Sequence, residues 1–387
     1  MSVQVFYGSA RQTRLDASET LPAKLDLILD RLHLRERVKD ETVVIKMHTG
    51  NNLNYSTIPP VFVRKVVQAV KDGGGKPFVA DVTWDVEGAD LRGYSPQVIG
   101  CPVYPVAGPH DKYFYVHERP FKNIREWKVA GLIEDASLLI NFTHVKGHPS
   151  CGLGGAIKNL ALGCMVGETR GAMHDTCQFD RYWFGELCPD PATRARVIES
   201  CPHAALVEDK QHPGELHLHI EQCNQCGRCL RVAPPGSLRI DPVNFDAFQE
   251  ACAISAGITL STFAAGKMTH LSLATNMTPL CDCFGFTTLA ILPDVGILGS
   301  DDVLALEQAT LDLTAGLRLM EENLPSSLEV HDRRGHPFQQ IHGPFKDPYR
   351  VIEYGEALGL GSRAYELVDV MPVESIARGP IGYVPAR

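Results

Sequence analysis

A strand–helix–strand pattern in the first hundred residues constrains the fold most. Residues 42–47 (Thr-Val-Val-Ile-Lys-Met) form a short β-branched, apolar run that favours a strand. Ser56-Thr57-Ile58-Pro59-Pro60 then supplies a polar pair and prolines at a helix start. Val63, Val66, Val67 and Val70 recur at helical spacing to about Lys71, and Gly73-Gly74-Gly75 ends the helix before a second strand over 77–82. Another apolar strand, 136–142, runs into a glycine-rich turn and a helix from Gly155 onward. Alternation of this kind implies an α/β fold, a largely parallel sheet with helices on both faces.

Residues 187–242 break the pattern, being rich in Cys, Pro and His without a long periodic helix. They read as an inserted ferredoxin-like iron–sulfur module. Bacterial two-cluster ferredoxins use Cys-x2-Cys-x2-Cys-x3-Cys-Pro in each half, the fourth cysteine serving the other half's cluster. Here Cys223, Cys226 and Cys229 give the first three, and Cys201-Pro202 gives a remote fourth. Counting back from Cys201, the partner positions hold Pro191, Arg194 and Val197, and the fourth-cysteine position, separated from Cys229 by three residues, holds Ala233 before Pro234. One complete ligand set therefore remains, and a single 4Fe-4S cluster on Cys201, Cys223, Cys226 and Cys229 is expected. A zinc knuckle shares the Cys-x2-Cys step, but three cysteines at successive steps of three suit a cubane better.

After the insert, 269–274 and 289–292 are again strand-like, and Ser300-Asp301-Asp302 caps a helix expected to reach about Asn323. From Pro325 only residues 351–358 look helical, so a C-terminal extension is expected to wrap the surface or meet another subunit of a homo-oligomer. The expected divisions are 1–186 and 243–324 for the α/β domain, 187–242 for the insert and 325–387 for the extension. With 387 residues, 44% of them hydrophobic, the chain can bury a full core. A net charge of −9 with no Lys/Arg run argues against nucleic acid. No stretch is long and apolar enough for a membrane span, and residues 1–30 lack a signal-like apolar segment. Twelve cysteines then fit thiolate ligands in a reducing, cytoplasmic setting.

Chemistry-bearing residues concentrate in the segment from His144 to Asn159, His-Val-Lys-Gly-His-Pro-Ser-Cys-Gly-Leu-Gly-Gly-Ala-Ile-Lys-Asn. It follows a strand and opens a helix, where ligands of open α/β sheets bind. Its glycines either serve a tight turn or let backbone N–H groups approach an anion, with Lys146 and Lys158 adding charge. Cys281-Asp282-Cys283 lies at another strand end. Its thiols are either small buried residues or ligands and redox thiols, perhaps joined by Cys151 and Cys164 at a second metal centre. Thiols one residue apart reach a common metal only if the backbone turns. No Walker or Rossmann fingerprint is present.

The chain resembles domain-of-unknown-function family 362, whose members often carry a ferredoxin insert. The resemblance rests on His144-Val145-Lys146-Gly147-His148, the run from Gly152 to Leu160, Cys281-Asp282-Cys283 and Pro293-Asp294-Val295-Gly296-Ile297-Leu298, and covers roughly residues 40 to 320. It implies an α/β core with iron–sulfur redox chemistry. A more distant similarity is to lactate racemases with a nickel-pincer cofactor. Their pocket His, Lys and His match His148, Lys158 and His174, and Asp81-Val82-Thr83 resembles the start of their Asp-x-Thr-Arg motif. Trp84 stands where the Arg would be, which removes a carboxylate clamp.

Together these readings predict an iron–sulfur oxidoreductase that takes electrons from a ferredoxin or reductase and delivers them to a small anionic substrate. His148, Lys158, His174, Cys281 and Cys283 are the expected catalytic residues. Lys146, Gly152, Gly154, Gly155, Asn159, Asp81 and Thr83 are the expected substrate contacts. The alternatives are an isomerase of a small hydroxy acid with a structural cluster, and an electron carrier without catalysis.

Overall fold

The computed structural model describes residues 3–178, 181–220, 222–223, 226–241, 244–326, 328–330 and 333–371. Among these, eight strands form one sheet in the spatial order Tyr365–Asp369, Val3–Ser9, Gly296–Ser300, Met268–Ala274, Leu138–His144, Thr42–Lys46, Lys76–Asp81, Val103–Pro105. Gly296–Ser300 runs antiparallel to both its neighbours. All other pairs are parallel. Leu138–His144 lies near the middle, and all seven of its residues are buried, as a strand covered on both faces requires.

Strand periodicity sorts side chains into two apolar layers. Val43, Ile45, Leu138, Ile140 and Phe142 point into one, packing on Ile28 of the helix Leu21–Arg31 and on Val63, Val66 and Val70 of the helix Pro60–Asp72. Val44, Phe78, Ala80 and Leu139 point into the other, with Ile157, Phe248, Leu304 and Ile352 from the helices Ala156–Ala161, Asn244–Ser261, Val303–Ala315 and Arg350–Ala357. The sheet is mostly parallel with helices on both faces. No helix among the described residues is long and apolar enough to cross a membrane.

Several expectations need correction. Residues 289–292 form no strand. Ile291 is buried, but its backbone bonds to Met277 and Met320 in irregular structure, and the strand is Gly296–Ser300. Asp302 caps the following helix as expected, accepting from the N–H groups of Leu304 and Ala305, but the helix stops at Ala315 beside Gly316. The described part of the C-terminal extension is built into the fold. Its helix Arg350–Ala357 packs on the second layer, and Tyr365–Asp369 extends the sheet beside Val3–Ser9. The helix Asn244–Ser261 escapes sequence reading because it is buried around most of its circumference and shows little amphipathic period.

The described residues of 187–242 add no strand to the main sheet and enter the chain between two strands that pair with each other, Leu138–His144 and Met268–Ala274. They contain the helix Pro191–Glu199, a hairpin of Leu206–Glu208 with Leu216–Leu218, and the short helix Arg228–Val232. Val197, Leu206, Leu216 and Leu218 join the same apolar cluster as the second helical layer.

The helix Ala156–Ala161 begins where an external anion was expected, but an internal one is there. Glu307 accepts from the N–H groups of Ala156 at 2.8 Å and Ile157 at 3.1 Å. Burial pushes its carboxyl from the ordinary 4.5 up to about 7 against those two donors. A folded-state pKa above the unfolded one favours folding fully below pH 4.5, and that contribution is lost as pH rises through 7. The melting temperature should therefore fall between pH 4.5 and pH 8, and Glu307→Gln should lose part of that slope; an unchanged slope would remove Glu307 as its source. Glu307→Ala should destabilise at every pH, by about 1–3 kcal/mol for each buried N–H left without an acceptor.

Candidate functional site

Parallel strands release their following loops on one edge, and a cavity of about 390 Å³ opens there. Lys46 and Asp81, the last residues of two strands, meet at its base with Nζ and Oδ1 2.8 Å apart. Lys46 also donates to Asn159 Oδ1 at 3.0 Å, while Asn159 Nδ2 donates to Lys46 O and Asn141 Oδ1. Asn159, expected to touch substrate, thus spends its amide tying the helix Ala156–Ala161 to two strands. Asp81 also accepts from Thr49 N–H at 2.8 Å and lies 3.2 Å from His48 Nδ1. Burial opposes its ionisation, yet Lys46 and His48 hold its carboxyl well below the usual range. Burial likewise opposes charge on His48, but Asp85 and Asp81 raise its pKa to about 10.

The Cys281 turn is held from beneath. Asp282 is fully buried, 3.0 Å from His144 Nδ1 and 3.2 Å from Lys146 Nζ. Lys146 is therefore committed to an internal carboxylate and to His144 O, although it still lines the cavity. Residues Asp282–Phe284 form a 3-10 turn with Cys281 at its start. That turn brings both sulfurs to one side, and Lys158 Nζ stands 3.4 Å from Cys281 Sγ and 4.0 Å from Cys283 Sγ. Burial would raise the Cys281 thiol, but its hydrogen bond with Cys283 and the Lys158 charge hold it well below the ordinary value. The same sulfur–sulfur hydrogen bond and burial push Cys283 up.

His148, Lys158, His174 and Cys283 all line this cavity. His148 and His174 stack on Phe248, with ring centroids 6.4 and 4.6 Å away. Burial first and Lys158 second keep His148 uncharged. Gly155 lies in the wall, while Gly152, Gly154 and Thr83 do not line it. Gly152 has φ +78°, and a Cβ there would come 2.3 Å from Lys346 O. Gly154 pairs with Lys146 in the hairpin Lys146–His148 and Gly152–Gly154, and Thr83 donates to Gly108 O. These three are structural placements.

Among the described residues, the thiols of Cys281 and Cys283 gather with a ring nitrogen of His48, all within 4.8 Å of one another. Cys151 and Cys164 stay outside that group. Cys151 donates to Leu153 O, and burial pushes each of these thiols up to about 12. His48, Asp85 and Arg170 were missed from sequence, although His48 lies two residues beyond a strand end. Arg170 comes from the helix Gly167–Asp175 and sets its guanidinium 4.3 Å over the Trp84 ring. Asp85 Oδ1, Ser150 Oγ and Arg170 Nε are buried without a hydrogen-bond partner, and all three residues line the cavity.

A second, smaller cavity of about 200 Å³ is lined by Cys201, Cys223, Cys226 and Cys229 with apolar neighbours that include Leu206, Leu218 and Ile240. Ala205 N–H donates to Cys201 Sγ at 3.3 Å. Burial and the neighbouring cysteines push the Cys229 thiol up to about 11. Four thiols converging on one apolar space, with a backbone donor on one sulfur, fit the requirements of a cubane. The two cavities are one residue apart in the chain, for Gln222 lines the first and Cys223 the second.

Over 150 residues the chain is 30% identical to the thylakoid-associated protein sll1697 of Synechocystis sp., a match covering 37% of this chain and 44% of that protein, less than half of its length. Among solved structures, the chain aligns with the lactate racemase apoprotein from Thermoanaerobacterium thermosaccharolyticum at a TM-score of 0.33 and 11% identity, over 70% of this chain and 55% of the other. Residues 43–312, which hold the strand–helix–strand unit, both cavities' cysteines and the glycine-rich hairpin, match the domain of unknown function DUF362, and the chain belongs to that family.

Proposed function

We propose that the chain is an iron–sulfur oxidoreductase, with one 4Fe-4S cluster held by Cys201, Cys223, Cys226 and Cys229 and a small anionic substrate bound in the larger cavity. When bound, such a cluster supplies single electrons, drawn here from a ferredoxin or reductase in the cytoplasm. The observation that carries this reading is that Gln222 lines the larger cavity while Cys223, the next residue, lines the smaller one, so one short stretch of chain serves both.

The chain's own residues then divide the work. Lys158, half-buried in the cavity wall and held charged by the Cys281 and Cys283 sulfurs, offers an ammonium to the substrate's anionic group. Arg170, whose other guanidinium nitrogens bond Met165 O and pair with Asp111, adds its unpartnered Nε to the cavity wall. His148, kept uncharged, is suited to accept a proton, and Ser150 Oγ to orient a polar group of the substrate. Trp84 and Phe284 close apolar parts of the cavity and exclude water.

A second reading, isomerisation of a small hydroxy acid, draws on Arg170. Its guanidinium over Trp84 returns a cation to the place where the racemase-like motif lacks its Arg. A covalent adduct on Lys158, visible as a mass increase in a peptide containing that lysine, would favour it; an unmodified Lys158 together with a redox-active cluster favours the oxidoreductase.

Anaerobically purified protein should contain about four irons and four labile sulfides per chain. Cys226→Ser should lose both along with the visible absorption, while far-UV circular dichroism keeps most of its helix and sheet signal. Wild-type iron content in that variant would refute the ligand assignment. Among small carboxylates screened at millimolar concentration, those that fit should raise the melting temperature through preferential binding to the folded state. Lys158→Met should abolish that shift, and a shift of full size in the variant would place the anion elsewhere.

A further inference from the structure

We propose that His48, Cys281 and Cys283 bind one divalent ion of the zinc class in the wall of the larger cavity, leaving a coordination position open to it. The site goes beyond the cluster cysteines and stands whether or not they carry iron. Its donors are one imidazole nitrogen and two sulfurs lying within 4.8 Å of one another. A tetrahedral zinc ion with bonds of about 2.0–2.3 Å holds its ligand atoms about 3.5–3.8 Å apart, so small side-chain rotations close the difference. Two thiols one residue apart cannot share an ion in an extended chain, and the 3-10 turn Asp282–Phe284 removes that obstacle.

The surroundings support a bound cation independently. Nδ1 of His48 lies 3.2 Å from Asp81 Oδ2 and 3.2 Å from the Gly50 N–H that donates to it, two contacts that fix the ring's orientation and leave Nε2 for the metal. Asp85 Oδ2 lies 3.5 Å from the same ring nitrogen and adds a second carboxylate on that side of the ring, and its Oδ1 is buried without a partner. Asp282, clamped by His144 and Lys146, holds the turn rigid from behind. His48 and Cys283 both line the cavity, so the fourth position faces the space where substrate would enter. Three protein donors with one open position are characteristic of catalytic rather than structural zinc. Lys158, 3.4 and 4.0 Å from the two sulfurs, would then balance the thiolate charge and meet an anion bound to the ion.

Cobalt(II) tests this, because thiolate ligation gives it a charge-transfer absorption. Full-length protein, anaerobically loaded with iron so that the cluster cysteines are occupied and then freed of loosely bound metal, is titrated with Co2+. One equivalent should bind and develop that band, and X-ray absorption at the cobalt edge should show two sulfur ligands with nitrogen or oxygen completing the shell. Cys283→Ser and His48→Gln should each weaken Co2+ binding by at least tenfold, while Cys101→Ser, remote and buried in the sheet's other layer, should not. No band, a band unchanged in both variants, or four sulfurs at the cobalt would overturn the proposal. The X-ray measurement uses the unaltered protein, so it decides even if a variant fails to fold. Iron content measured in the same samples reports the cluster separately, so loss of iron with retained cobalt binding would count against the oxidoreductase reading and leave this site standing.

Discussion

The buried ion pair between Lys46 and Asp81 is the constraint on which the site depends. Their side chains are 1% and 2% exposed, and the charged atoms stand 2.8 Å apart. Removing two such charges from water costs several kcal/mol each, and only close pairing with full hydrogen bonding offsets that. The structure supplies this bonding from two pieces of chain: Asn159 from a helix, and His48 and Thr49 from the loop that follows Lys46. Removing one partner would leave an uncompensated charge, a loss of about 3–5 kcal/mol. The pair thus welds two strand ends to the first helix after the glycine-rich hairpin, and the cavity wall inherits their rigidity.

A second buried group extends the same logic. Asp282 collects His144 and Lys146, as Asp81 collects Lys46 and His48. The strand ends at Lys46 and His144 present a cation and an imidazole, and each is answered by a buried carboxylate from another segment. Charges that look like ligand-binding groups in the sequence are largely consumed in holding one another. What remains for a ligand is narrower and better defined: Lys158 beside the sulfurs, Arg170 over Trp84, and the unpartnered atoms of Asp85 and Ser150.

This explains which parts were legible in the sequence. The strands at 42–46, 76–81, 138–144 and 268–274 and the helix Pro60–Asp72 carry β-branched runs or valines at a clear period, and each was read within a few residues. The helix Asn244–Ser261 was not, because burial on nearly every side erases the period. Residues 289–292 misled for the opposite reason, since an apolar run is equally compatible with buried irregular backbone. At the site, local motifs marked His148, Lys158 and Cys281, but His48, Asp85 and Arg170 are single residues with no neighbouring pattern. Only the parallel topology, which stacks loops from distant segments on one edge, brings them into view.

The C-terminal segment shows how far that assembly reaches. Lys346 donates to the carbonyls of Ile220 and Cys223, and so grips the loop that separates the cysteine cavity from the larger one. Its own carbonyl lies so close to Gly152 that any side chain there would collide with it, which ties the same segment to the glycine-rich hairpin. Four residues earlier, His342 Nε2 meets Pro279 O at 2.7 Å, just before the Cys281 turn. Residues 342–346 therefore touch all three segments that carry the chemistry, although they hold none of the motif residues. The tail that sequence reading placed at the periphery is thus the brace that sets the two cavities against each other.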